Sequence, residues 1–462
     1  MFSARLKIHD SHSIEIKSGY KSLLGKKTFY RTGMYLILPE SLDIDPSKYT
    51  QSDFYKDIKT NIRLITPEND FKDFIKKNGE FDKLEAFLKN GDNDLKRKIK
   101  AIHLFATRFR ASCNMEFNNI NNPTLFGKNF QIFNRYQKEV IDKLKNLMDL
   151  VPNQKLKIEI ETAINYHNLF IEKLYGGKAI RLKSFIGSVN ECFEEDYLEN
   201  SSDSERLVQR SLIKKYIESV LYLNINFGKD GLITEQILFG LAAGLAMLFS
   251  TIIVFSTQEK YGNFSSNFFI ILVVSYIFKD RLKDIAKLSF AEMAKLLFYD
   301  FKRSILMNNK VIGYMRELFY FTVFKKMDNC LKKMILKNIE PMELNALNME
   351  NIINYTKKVK LKKRSISDEP DQPSFDGVND ITRVFFDKIL RKADNPVKKL
   401  YRIDSNLDKI HTDRFYDLFL IFVRRTKKEK IFELYKLKAT REELVSVTLL
   451  DSDSEELNKD CR

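Results

Sequence analysis

The sequence contains no tryptophan, and its 462 residues include only four cysteines, nine prolines, sixteen glycines and five histidines. Four dispersed cysteines exclude a scaffold built on disulfides. So little proline and glycine excludes collagen-like and proline-rich low-complexity chains. No Gly-x-Ser-x-Gly elbow and no His-Glu-x-x-His helix is present, so the common serine-hydrolase and zinc-protease signatures are missing. The apolar share is 44%, with 12% aromatic residues, which is enough for folded cores. Lys and Arg number 78 against 62 Asp and Glu, a net charge of +16. The length allows two or three domains.

The decisive segment is a pair of adjacent uncharged runs. Gln236–Gln258 contains no charged residue and is long enough to cross a hydrocarbon layer of ~30 Å at ~1.5 Å per helical residue. A second run, Tyr261–Phe278, has a polar start and an apolar heart at Phe268–Phe278. With only Glu259–Gly262 as a turn, the two read as a transmembrane helical hairpin over 233–278. Orientation follows from the basic residues. Lys214, Lys215 and Lys229 precede the hairpin, and Lys279, Arg281, Lys283 and Lys287 follow it, whereas the turn carries Lys260 offset by Glu259. Both chain ends are therefore expected on the cytoplasmic side. Arg5, Lys7, His9 and Asp10 interrupt any apolar leader near Met1, so the first span is expected to act as its own insertion signal.

Neither run holds an acidic, basic or histidine side chain, and two spans do not enclose a pathway, so transport by a single copy is disfavoured. The first span does carry small residues at four-residue spacing: Gly240 and Gly244 on one face, Ala242, Ala246 and Ser250 on a neighbouring one. These are candidate helix-packing residues, either against the second span or across a homodimer. A pore lined by Ser250 and Thr251 in an oligomer is a further alternative. Lys279, Arg281, Lys283 and Lys287 are candidate contacts to anionic lipid, on a juxtamembrane helix over 279–303.

The flanks read as α+β. In the N-terminal region, 1–91, Arg5–His9 and Ser13–Lys17 alternate as a β-hairpin, Thr28–Leu38 is a third strand, and Asp53–Leu64 shows the four-residue spacing of an amphipathic helix. The region 92–232 is helical, with an Asp92/Asn93 cap, a break at Asn121–Pro123, further helices over about 125–150 and 154–175, and a cap at Ser202/Asp203. This pattern fits an antiparallel bundle. The region 304–450 is β-rich: Val311–Phe324, Asn351–Leu361, a hairpin of Arg414–Arg424 with Lys430–Lys438, and Leu444–Leu450, with a short helix near Phe385–Ala393. The acidic tail 451–462 is expected to fray.

Several stretches resemble a family of uncharacterised bacterial membrane proteins. They are Tyr261-Gly262-Asn263-Phe264-Ser265, Phe268-Phe269, Val273-Val274-Ser275-Tyr276 and Lys279-Asp280-Arg281-Leu282-Lys283, with shorter likenesses at Asp53–Pro67 and Lys392–Leu400. The resemblance implies a bacterial inner-membrane setting. It implies no activity, cofactor or catalytic residue.

Other chemical motifs dissolve on inspection. Gly19 to Thr28 has five residues between its glycines and a second lysine before the threonine, and it joins two strands, so it is not a phosphate loop. His9, Asp10 and His12 lack further ligands for a metal. His103, His167 and His411 stand alone, and Cys113, Cys192, Cys330 and Cys461 are expected as reduced thiols. Glu194–Glu195 and Glu442–Glu443 read as solvated acids. The basic run Lys357–Arg364 alternates within a strand and belongs to no nucleic-acid module, which reads against a nucleic-acid partner. The expected partners are instead the lipid bilayer, a second copy and a protein partner. No cofactor, catalytic residue or metal ligand is assigned. The function expected is a non-enzymatic, membrane-tethered scaffold or signal-coupling protein. The alternative is a hydrolase or transferase whose site is assembled from distant residues.

Overall fold

The N-terminal alternation forms β1 (Arg5–Asp10), β2 (Ser13–Lys21) and β3 (Thr28–Ile37). Next come α1 (Gln51–Asp57) and β4 (Ile58–Ile65). The computed structural model describes residues 5–21, 28–66, 70–90, 94–119, 126–179, 203–228, 232–262, 265–297, 299–307, 309–362, 371, 377–403, 407–426 and 429–456. The Asp92/Asn93 cap, the Asn121–Pro123 break, Glu194–Glu195, Cys192, Cys461 and Lys363–Arg364 lie outside the described residues.

The amphipathic helix expected over Asp53–Leu64 is corrected. A capping box of Thr50 and Asp53 starts α1, but the chain turns extended at Ile58 and continues as a strand. Ile58, Thr60, Ile62 and Leu64 then face inward at period two. A four-residue spacing is close to one helical turn and is also two strand repeats, so Phe54, Ile58 and Ile62 satisfied both periods.

Helices α2 (Glu80–Lys89), α3 (Leu95–Asn119), α4 (Phe126–Leu150), α5 (Gln154–Ala179) and α6 (Asp203–Glu218) make a bundle. Its core is rich in Phe: Phe74, Phe109, Phe117 and Phe133 are each almost wholly buried. A short strand β5 (Asn224–Asn226) leads to the two long helices α7 (Leu232–Tyr261) and α8 (Ser266–Leu297). After them come β6 (Phe301–Met307), β7 (Lys310–Thr322), α9 (Asn329–Asn338), α10 (Pro341–Asn345), β8 (Ile352–Leu361), β9 (Gly377–Phe385), α11 (Asp387–Leu390), β10 (Val397–Ile403), β11 (Leu407–Asp413), β12 (Tyr416–Arg425), β13 (Glu429–Ala439) and β14 (Leu444–Glu456).

The strands do not separate into N- and C-terminal domains. One sheet has the order β1-β2-β9-β4, and a larger one runs β14-β13-β12-β3-β8-β7-β6-β5. Every pairing within them is antiparallel. Strands from both ends of the chain, β1–β4 and β6–β9 with β12–β14, therefore fold as one β-sandwich, with β3 between β8 and β12, whereas residues 71–88 pack into the bundle. Ile14 and Ile16 of β2 meet Met34 and Leu36 of β3 and Leu418 and Leu420 of β12 between the sheets. On the outer face of the large sheet, Leu331 and Ile335 of α9 cover Ile37, Phe419, Ile421 and Phe432. The frayed acidic tail is corrected as far as Glu456, because β14 continues through Asp451 and Asp453 along β13, and residues 457–462 lie outside the described residues. Cys330, at the start of α9, is disulfide-bonded rather than a free thiol.

Gly313 of β7 sits where a Cβ would lie 2.5 Å from the Lys360 carbonyl oxygen of the neighbouring strand. That oxygen is backbone in a paired ladder and has little room to retreat. Gly313→Ala is expected to lower stability by about 1–3 kcal/mol, read from the denaturant midpoint. An unchanged midpoint would show that the two strands are looser than this.

Candidate functional site

Helices α7 and α8 lie antiparallel, joined through Gly262, whose φ of 73° is in the left-handed region that glycine adopts freely. Ala242, Ala246, Thr257 and Ser275 are buried in the seam between them. Ser250 Oγ and Ser275 Oγ are 2.6 Å apart, and each hydroxyl also reaches the other residue's carbonyl at 3.3 Å. The Ala242–Ala246–Ser250 face thus packs within the chain. Gly240 and Gly244 lie exposed, with open space where a Cβ would be. Thr251 donates to the Met247 carbonyl of its own helix. Of the two hydroxyls named for a pore, Ser250 is engaged inside the hairpin, and Thr251 lies exposed on the outer side of its helix.

The rest of the hairpin surface is apolar and bare. Leu241, Leu245, Leu248, Phe255, Phe269 and Ile277 are each more than half exposed. Gln236–Lys260 is long and apolar enough to cross a membrane. The second limb differs. With Ser250 opposite Ser275, the antiparallel register sets Lys279 at the level of Ala246 and Lys283 at the level of Ala242. The two spans drawn from sequence are therefore not side by side. The limbs are both uncharged from Met247 to Gln258, opposite Phe278 to Asn267, about 18 Å of helix at ~1.5 Å per residue. Lys279, Arg281, Lys283 and Lys287 follow on α8, with Lys279 Nζ 4.1 Å from the Tyr276 ring centre.

The hairpin is rooted in the large sheet. β5 and β6, the strands before and after it, pair with each other, Asn226 opposite Ser304, and Lys302 N donates to the Gly228 carbonyl at 2.9 Å. Phe227 rests on Phe301 at 4.5 Å, and Phe301 meets the Tyr55 ring edge-on at 4.5 Å. Asp300 accepts from Tyr55 Oη at 2.8 Å and from Phe319 N at 2.7 Å. Two residues further along β6 from Phe301, Arg303 pairs at 2.8 Å with Glu317, which is fully buried. Glu317 also accepts from Tyr355 Oη at 2.5 Å and from Thr60 Oγ1 at 3.4 Å. The helical bundle joins the same strand β4 through Arg63, whose guanidinium is 3.2 Å from Glu218 at the end of α6. Glu218 in turn accepts from Arg110 and from Tyr166 Oη.

Deeper between the sheets, Lys357 of β8 reaches across to β9, where it donates to Asp380 Oδ1 at 2.5 Å and Thr382 Oγ1 at 2.7 Å. Lys357 and Asp380 are 1% and 2% exposed. Tyr30, stacked on Tyr20 at 3.8 Å, lies against this carboxylate. Burial, then the Asp380 charge, pushes the Tyr30 hydroxyl well above its ordinary pKa. Arg424 and Glu433 form a third interior pair at 2.8 Å. These ions engage one another, and no group of three or more metal-ligating side chains occurs among the described residues. The sequence placed Lys357 in a surface run. Its phase was the missed signal, since it lies on the same strand face as Ile353, Tyr355, Val359 and Leu361.

The histidines also separate. His12 Nδ1 is 2.8 Å from the Ser11 hydroxyl at the exposed β1–β2 turn. His103 bonds Glu159 at 2.9 Å inside the bundle. His167 is buried with its ring 4.7 Å from Phe109, and neither of its nitrogens has a hydrogen-bond partner. His411 has only its backbone described, in β11.

No protein family matches the chain, and neither a curated protein nor a solved structure matches it.

Removing one member of the interior pair strands the other. Asp380→Ala is expected to cost about 3–5 kcal/mol, whereas Lys357→Met with Asp380→Leu should recover most of that loss, as read by urea denaturation. If the double variant is as unstable as the single, the pair is not the source of the cost. Burial, then the Arg110 charge, pushes the His167 pKa down to about 3, against 6.5 for an exposed ring. The unfolded chain therefore binds this proton first as pH falls. The contribution is complete above pH 6.5 and is lost progressively towards pH 3. His167→Leu should flatten the bundle's melting temperature between pH 7 and pH 5 and add about 1–2 kcal/mol at pH 7.

Proposed function

We propose that this chain is an integral inner-membrane protein, a non-enzymatic tether that couples its hairpin to a cytoplasmic sandwich and bundle. The supporting observation is the bare apolar hairpin leaving and re-entering one sheet through the paired strands β5 and β6. The hairpin crosses the bilayer with its Gly262 turn on the far side. Its charged rungs from Lys279 to Lys287 lie in the cytoplasmic headgroup layer, where each basic residue adds about 1 kcal/mol near an anionic surface. A shared uncharged depth of about 18 Å is well short of a typical ~30 Å core, so the bilayer thins locally and the basic side chains reach out to the headgroups. The bacterial setting is the one implied by the resemblance in the hairpin sequence.

Coupling is the reading that fits the root. Movement of the limbs acts first on Phe227, Phe301 and Arg303. Arg303 is bonded to Glu317, and Glu317 is held by side chains of β4 and β8. β4 carries the Arg63–Glu218 link to the bundle. A second copy fits against the open Gly240–Gly244 face, where small residues admit close helix approach.

Topology tests the proposal directly. Gly262→Cys should react with a membrane-impermeant maleimide in intact cells, while a tag after Arg462 should become accessible only after permeabilisation. The protein should stay in the membrane pellet through alkaline carbonate. Release into the supernatant, or labelling of both sites on the same side, overturns it.

A further inference from the structure

The outer face of the large sheet carries a feature absent from the network inside it. Arg425 of β12 lies directly opposite Lys430 of β13 on one side and Arg31 of β3 on the other. Arg31 lies opposite Lys358 of β8, Lys358 opposite Arg316 of β7, and Arg316 opposite Lys302 of β6. Six basic residues therefore stand abreast across six adjacent strands. At ~4.8 Å between strands the row is about 24 Å long. Like charges directly opposite one another destabilise a sheet, and here the juxtaposition is repeated five times.

The facing is fixed by alternation. The inward neighbours Arg303, Glu317, Lys357 and Arg424 belong to the interior network, so the six point outward. Among the described residues, the outward positions of β3, β6, β7 and β8 hold no carboxylate. At the β13 end, Lys430 pairs with Asp328 at 3.3 Å. Aromatic rings adjoin the row: Lys302 Nζ lies 5.0 Å from the Tyr314 ring centre, and Lys358 Nζ lies 5.3 Å from that of Phe29. Exposed Lys360 of β8 and Lys362 just after it stand beyond Lys358. On the other side of the row, Val423, Phe432 and Thr356 are buried. The row thus runs along a ledge at the foot of the layer formed by α9 and its neighbours.

We infer that this row binds a single-stranded nucleic acid along its phosphate backbone, with Tyr314 placed to meet bases. A line of cations beside rings fits a linear polyanion with flat side groups. A bilayer is a plane, and a half-covered ledge cannot lie flush against it. The inference stands apart from the proposed membrane anchoring and can fail without it.

The test is fluorescence anisotropy of a labelled 15-nucleotide oligo-dT or oligo-U titrated with the full chain in neutral detergent. Binding should weaken with salt with a log–log slope near −0.7 per phosphate neutralised. Arg31→Ala with Arg425→Ala, both exposed, should weaken binding at least tenfold and reduce the slope by about 1.4. Lys72→Ala with Lys155→Ala, two exposed bundle lysines, should leave it nearly unchanged. If the first variant fails to fold by thermal melt, Lys360→Ala with Lys362→Ala replaces it, and at least a threefold loss is expected. No binding at 50 mM salt overturns the inference, as does equal loss from the bundle pair. So does displacement of the oligonucleotide when the protein is held in nanodiscs containing phosphatidylserine rather than zwitterionic lipid alone, which would assign the row to lipid.

Discussion

The pairing of β5 with β6 is the constraint from which the rest of this architecture follows. Residues 227–300, between the two strands, include both hairpin helices, yet the insertion begins and ends within one strand spacing. Closing so long a connection costs only a few kcal/mol more than closing a short one. What the pairing fixes is direction, because both helices must leave the sheet at the same place. Once out, the limbs have little hydrophobic reason to associate if lipid surrounds them. The close approach of Ala242 and Ala246 and the mutual hydroxyl bonds of Ser250 and Ser275 then supply the contact.

The root of the hairpin meets the most demanding electrostatics in the molecule. Glu317 is fully buried and would be intolerable alone. Arg303, Tyr355 and Thr60 surround it from three different strands. Lys357 and Asp380 solve the same problem across the gap between sheets. Buried pairs of this kind add little net stability against well-packed apolar residues, but they penalise mispairing heavily. In a sandwich whose two sheets draw strands from both halves of the chain, that penalty disfavours alternative registers. A one-residue slip of β8 would put Lys357 outside and leave Asp380 unmatched.

Much of the local structure was legible because burial imposes period. β7 alternates clearly, β12 reads as a continuous apolar run bounded by charges, and the helical bundle shows long apolar stripes between breaks. Two failures have physical causes. Phe54, Ile58 and Ile62 satisfied both helix and strand spacing, and the choice was made by the β partner at Gly377–Phe385, which lies more than 300 residues away. The end of β14 read as a frayed tail because Asp451, Asp453 and Glu455 are acidic, yet β14 is the edge strand of its sheet, and charge is how edges avoid further pairing. The hairpin was legible as two apolar runs. Its register was not, because the Ser250–Ser275 contact depends on a turn geometry that no periodicity encodes. The candidate site was the least legible part. Arg303, Glu317 and Asp380 are ordinary charged residues until strand partners converge on them.

The two faces of the large sheet show opposite treatments of charge by the same strands. On β8, Lys357 points in and finds a carboxylate at 2.5 Å, while Lys358 points out into a row of its own sign. On β7, Glu317 points in to meet Arg303 and Arg316 points out between Lys358 and Lys302. Inside, each cation is matched because the medium leaves no alternative. Outside, water and salt screen the repulsion, so the fold tolerates a like-charged line at modest cost. A sequence selected for stability alone could interrupt that line at any exposed position, such as Arg31 or Arg425, without disturbing the core. Its continuity across six strands, from segments as distant as Arg31 and Lys430, argues that the row is kept for something it meets and not for the fold that holds it.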